Sequence, residues 1–254
     1  MSEILNQDQT LNFILGIINS HKPASFIRKG DGDNIILAYG IVDSIPFHRY
    51  RKKLIHYNIP VWDFPFQLFV RSELVKAFTN ATLLGISSIE HRHGFWAKEE
   101  EILNYFLLQE ISRCDMNFHM GFIKMPHENN LMNPLAEEII SNRKMGIISH
   151  CEVENFLNYY DSKIITRIEI PKRRAKFQRM TRKKYDVVLS KIIDNCPSVD
   201  IWLVSAGIYA KPFCEYIRQN GGIGIDIGSS MDSWINEYHS RGHLRRLIKD
   251  YNTK

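Results

Sequence analysis

The run Arg28-Lys29-Gly30-Asp31-Gly32-Asp33-Asn34 sets two carboxylates one glycine apart. Asp31 and Asp33 are hard oxygen ligands of the kind that bind Mn2+ or Mg2+ together with a phosphate. Gly30 and Gly32 permit positive φ and a close approach of backbone to ligand. Arg28 could reach a phosphate or close a structural salt bridge. The same spacing serves a plainer end, in which one Asp caps a helix and the glycines only make the turn. A second turn, Ser205-Ala206-Gly207, opens a helix whose free N–H groups suit a phosphate or ribose, or simply packs. A third stretch, Gly222-Ile223-Gly224-Ile225-Asp226-Ile227-Gly228, ends in a carboxylate. Asp226 could bind a ribose or sugar hydroxyl, act as a base, or cap the next helix. If Asp226 binds ligand, Asp226→Asn is expected to melt close to the wild type; if it caps the helix, the variant is expected to melt markedly lower. Arg173 and Arg174 belong to a block from Lys172 to Lys184 that contains no acid. They could touch a diphosphate or an anionic acceptor, or form a solvated surface. His91 and His93, without a third ligand in place, read as parts of a polar loop.

These residues need strands that stop where they begin. Ala24 to Arg28, Ala81 to Ile86, Met145 to His150, Ile164 to Ile170, Asp200 to Val204 and Ile223 to Ile227 are short apolar runs of strand length. Met116 to Phe122, with Asn117 and His119, is expected to be a further strand end facing the site. Helical patterns lie between them, over 3 to 20, 46 to 57, 66 to 80, 98 to 111, 134 to 143, 152 to 160, 181 to 195 and 209 to 220. The first signature turn leads into a helix beginning near Ile35. The alternation predicts an α/β fold, a single doubly wound, mostly parallel sheet with helices on both faces, Rossmann-like in kind. In such sheets ligands bind beyond the carboxyl ends of the strands. Gly222 and Gly224 leave one face of the last strand bare, so a helix is expected to approach it closely.

The 254 residues, 44% of them apolar, suit one domain over 1–254, with an N-terminal helix over 1–22 and a basic tail over 236–254. No apolar run reaches the roughly 18 residues of a membrane span, and Met1-Ser2-Glu3 does not open a leader pattern. Cys114, Cys151, Cys196 and Cys214 are far apart, which suits a reducing, cytoplasmic setting. The absence of a Gly-X-Gly-X-X-Gly turn argues against an ordinary NAD site.

Arg28 to Asp33 resembles the Arg-X-Gly-Asp-Gly-Glu signature of the GT-D type glycosyltransferases, the family built on domain of unknown function 1792. Ile201 to Gly207 and Gly221 to Gly228 resemble the family's later strand ends in kind and order, and Ile165 to Pro171 is a looser third match. Together they span residues 24 to 235. One departure is Asp33, where the family usually has Glu. The resemblance implies a metal-dependent enzyme that moves a sugar from a nucleotide-sugar donor to a surface glycan or glycoprotein glycan, lipid-linked acceptors included. It implies Mn2+ or Mg2+ on Asp31 and Asp33, and catalysis by Asp31, Asp33 and Asp226. Substrate contacts would come from Arg28, Gly30, Gly32, Ser205, Gly207, Arg173 and Arg174. Nucleic acid is not expected as a partner. The competing reading, from another class, is a non-catalytic Rossmann-like module that binds nucleotide or nucleic acid; it would need no metal and would weaken steeply with salt.

Overall fold

The structure, a computed structural model, describes residues 4–41, 45–87, 99–106, 111–126, 131–172, 178–240 and 242–252. Within them, apolar runs form the strands β1 Ala24–Arg28, β2 Leu83–Ile86, β3 Arg113–Asp115, β4 Lys144–Ser149, β5 Lys163–Glu169, β6 Ile201–Ser205 and β7 Ile223–Asp226. They make one all-parallel sheet in the order β3-β2-β1-β7-β6-β4-β5. Every residue of β2, β6 and β7 is buried, as parallel strands covered on both faces require.

Side chains alternate between two cores. Ile27, Trp202 and Val204 face one, while Phe26, Leu203 and Ile225 face the other. The helices in chain order are α1 Gln7–Asn19, α2 Asp31–Ala38, α3 Phe47–His56, α4 Phe64–Asn80, α5 Glu99–Tyr105, α6 Pro134–Ile140, α7 Glu154–Asn158, α8 Arg182–Asn195, α9 Ala210–Gln219, α10 Ser230–Trp234 and α11 Gly242–Asn252. Residues of α2, α4, α8 and α9 fill the first core, and residues of α1, α6, α7 and α10 the second. Side chains set where several helices begin. Asn6 and Gln9 form a reciprocal capping box on α1, Asp63 caps α4, and Thr181 caps α8.

The bare face of β7 is used as its glycines suggest. A Cβ on Gly224 would fall 2.8 Å from the Cα of Cys214 in α9, and one on Gly222 would fall 2.8 Å from the Ile217 side chain. Helix α9 therefore lies directly on the strand. The outgoing connections diverge between β6 and β4: β6 leads back to β7, whereas β4 leads outward to β5. That divergence opens a crevice at the carboxyl ends.

Several expectations change. Met116–Phe122 is a 3-10 turn rather than a strand end, because the Asp115 carboxylate accepts the Asn117 N–H and redirects the chain after a three-residue strand. Helix α2 begins at Asp31, four residues earlier than expected, and Pro46 is the residue before α3 rather than part of it. The expected basic tail contains α11, whose Leu244 packs with Tyr238 and Ile123. The loop bearing His91 and His93, and the pair Arg173 and Arg174, lie outside the described residues.

Candidate active site

The ends of β1, β4, β5, β6 and β7 meet around one cavity of about 320 Å3. At its base two buried carboxylates, Asp33 and Asp226, meet the buried Lys211 and the half-buried Arg28. Asp226, at the end of β7, is fully buried. Its Oδ1 accepts Arg28 Nη2–H at 3.2 Å and the Gly228 N–H at 3.1 Å. Its Oδ2 accepts from Lys211 Nζ at 3.0 Å, and Arg28 Nε–H donates to its backbone carbonyl at 3.0 Å. Lys211 also donates to the Gly207 carbonyl at 3.0 Å and stands 3.7 Å from Asp33 Oδ2. That Asp33 oxygen accepts the Gly30 N–H at 2.7 Å. Burial pushes the Asp226 carboxyl up, but the charges and hydrogen bonds of Arg28 and Lys211 outweigh it and hold the group below its ordinary range. Arg28, Asp33 and Lys211 line the cavity.

The signature glycines are there for space. Gly30 has φ −95° and Gly32 lies inside α2, so neither uses the left-handed region. A Cβ on Gly32 would instead fall 1.9 Å from the Tyr57 hydroxyl oxygen. Tyr57, which follows α3, is thus seated on the turn and forms a wall of the cavity. Gly228 is constrained twice, by φ +48° and by Arg28 Nη2, which a Cβ would meet at 1.7 Å.

Of the residues singled out from the sequence, Arg28, Gly30, Asp33, Ser205 and Gly207 are brought to the cavity wall. Gly32 stands behind Tyr57, and Asp226 lies beneath Arg28 and Lys211 with both oxygens engaged. Asp31 opens α2, and its side chain lies outside the described atoms. Sequence reasoning missed Lys211, Tyr57, Lys53, His150 and Asp232, all of which line the cavity. His150 directly follows β4, so the rule that ligands meet strand ends could have found it. Lys211 stands four residues after Gly207, one turn along, in a run of mostly buried residues. A buried lysine there needs anionic company, which is a usable signal.

On the far wall, His150, Cys151 and Asp232 bring one ligand atom each to within 4.8 Å of one another. Nearby, Ser229 Oγ is 3.3 Å from His243 Nε2, whose ring meets that of His119 edge-on at 5.9 Å. Burial, together with Arg28 and His243, drives His119 well below the ordinary histidine value.

A family model described as the GT-D fold-like domain matches residues 5–234. No curated protein matches the chain. Among solved structures, a glycosyltransferase of the domain of unknown function 1792 from Streptococcus sanguinis is similar. Its TM-score is 0.54 at 15% identity, over 92% of this chain and 84% of that one. Another, described as domain of unknown function 1792 with a distinct glycosyltransferase fold, has a TM-score of 0.57 at 18% identity, over 92% and 80%. Similarity at these identities is similarity of fold.

Proposed function

This chain belongs to the GT-D fold-like family, and from that membership we propose a metal-dependent glycosyltransferase. It would transfer a sugar from a nucleotide-sugar donor to a glycan or glycoprotein glycan, lipid-linked acceptors included. One observation carries the reading: Arg28 and Lys211 are held at the cavity base by Asp226, beside the amino end of α2. Fixed cations at a helix start suit a diphosphate, and they stabilise most when its negative charge grows on departure. Ser205 and Gly207 would receive the ribose or a phosphate, with Gly30 offering backbone beside Asp33. Arg173 and Arg174, a few residues beyond the cavity-lining Ile170 and Pro171, would meet the diphosphate or an acidic acceptor. Asp226 acts through the cations it holds, as a positioning residue.

Mn2+ or Mg2+ belongs to this reading, and the donor chemistry of the turn fits it. Asp33 is a carboxylate in the cavity wall, and Asp31 stands two residues before it. An ion there would share Asp33 with Lys211 and the Gly30 amide. Asp31 and Asp33 would hold it, and it would supply neutralisation of the diphosphate. We also place the protein in the cytoplasm: its four cysteines are free and buried, as suits a reducing compartment. No described helix is long and apolar enough to cross a membrane.

The test is a thermal-shift and turnover screen of nucleotide sugars with and without Mn2+. Stabilisation by one nucleoside class that depends on the ion, with slow donor hydrolysis, is expected. Binding that needs no metal and weakens steeply with salt, on oligonucleotides instead, would mark a nucleic-acid module and overturn the proposal.

A further inference from the structure

We propose that His150, Cys151 and Asp232 form a centre for a thiophilic divalent cation of the Zn2+ class, with an open coordination position turned to the cavity. Cys151 Sγ lies 3.6 Å from His150 Nε2 and 3.7 Å from Asp232 Oδ1, and His150 Nε2 lies 3.9 Å from the same oxygen. In a tetrahedral zinc site, bond lengths near 2.0–2.3 Å place neighbouring ligand atoms roughly 3.4–3.6 Å apart. The triangle seen here is within about half an ångström of that face, so small side-chain rotations close it.

The ligands stand on firm elements. His150 and Cys151 directly follow β4, and the Cys151 N–H is held by Ser149 Oγ at 3.0 Å. Asp232 lies in α10, where Ser240 Oγ–H donates to Oδ2 at 2.6 Å and leaves Oδ1 turned to the thiol and imidazole. A hydrogen bond of this kind orients a ligating carboxylate. His150 and Asp232 line the cavity whereas Cys151 is buried behind them, so a fourth ligand would come from the cavity side. Three protein ligands and one open position are the pattern of a reactive zinc site rather than a purely structural one. A thiolate selects against Mg2+ and Mn2+, so this centre is distinct from the hard-ion site proposed at Asp31 and Asp33.

The Cys151 thiol donates to Asp232 Oδ1 across a long contact. A cation entering here displaces the thiol proton to solvent and takes both atoms as ligands.

The experiment uses the whole chain, stripped with a chelator and titrated with Co2+, then with Zn2+ in competition. One Co2+ per chain with a thiolate-to-metal charge-transfer band is expected, displaced by Zn2+ and unaffected by excess Mg2+. Proton release should accompany binding in weakly buffered solution. Cys151→Ser should abolish the band, His150→Ala should weaken Zn2+ binding at least about tenfold, and Cys114→Ser should change neither. Should Cys151→Ser fail to fold, the partly exposed His150 carries the decision. A wild-type protein without the band, or a band that survives both substitutions at His150 and Cys151, overturns the assignment. Because the readout is metal binding alone, failure here leaves the glycosyltransferase reading standing, and the reverse holds too.

Discussion

At the scale of single residues, the molecule turns on Asp226. A neutral amide at this position would leave the buried Lys211 and the half-buried Arg28 without their shared counter-charge. Breaking a buried ion pair from one side costs about 3–5 kcal/mol, so Asp226→Asn should lower the melting temperature by roughly 10 °C. This reverses the expectation that the change would spare the fold; scanning calorimetry decides it. The pH dependence has a definite sign. Because the folded carboxyl titrates below its ordinary value, its contribution is complete above about pH 4. It is lost as pH falls through the lower, folded value. Acid unfolding followed by circular dichroism should therefore steepen below about pH 4, and Asp226→Asn should flatten that limb. Arg28 and Asp33, which reach the cavity wall, were legible from their spacing at a strand-to-helix turn. Lys211 was less so, because its place in a buried run calls for anionic company, yet the two carboxylates that meet it come from β7 and α2, distant in the chain.

At the scale of elements, close approach decides the geometry. Helix α9 lies on β7 because Gly224 lacks a side chain, and α9 carries Lys211. Gly224→Ala would drive a Cβ into the backbone of α9, costing about 1–3 kcal/mol. It should also displace Lys211, so activity per folded molecule should fall alongside stability in chemical denaturation. Gly222 and Gly224, alternating at and just before β7, announced this contact, since alternation along a strand is visible in sequence. The 3-10 turn after β3 was not legible, because an Asp115 side chain competing for a backbone N–H overrides the apolar pattern. That turn carries His119, whose depressed titration gives a second limb. The unfolded chain binds a proton near pH 6.5, and the buried ring beside Arg28 and His243 does not. Stability should thus decline as pH drops below about 6.5, and less so in His119→Gln, by melting temperature across pH 5 to 7.

At the scale of the whole molecule, an all-parallel sheet covered on both faces gathers its strand ends at one edge, and the diverging connections of β6 and β4 open the crevice there. The α/β class and most strands were readable, because buried parallel strands are short, continuous apolar runs between helical periods. Of the cavity's far wall, His150 was readable as a strand end but Asp232 was not, since the two become neighbours only when β4 and α10 are packed. In the proposed function, Lys211 and Arg28 at this edge receive a nucleoside diphosphate. Isothermal titration of the wild type and of Lys211→Met with a nucleoside diphosphate and Mn2+ tests it most directly. One site per chain is expected in the wild type, with an affinity at least about tenfold weaker in Lys211→Met, a loss of roughly 1.4 kcal/mol. Equal affinity in two folded proteins would contradict it.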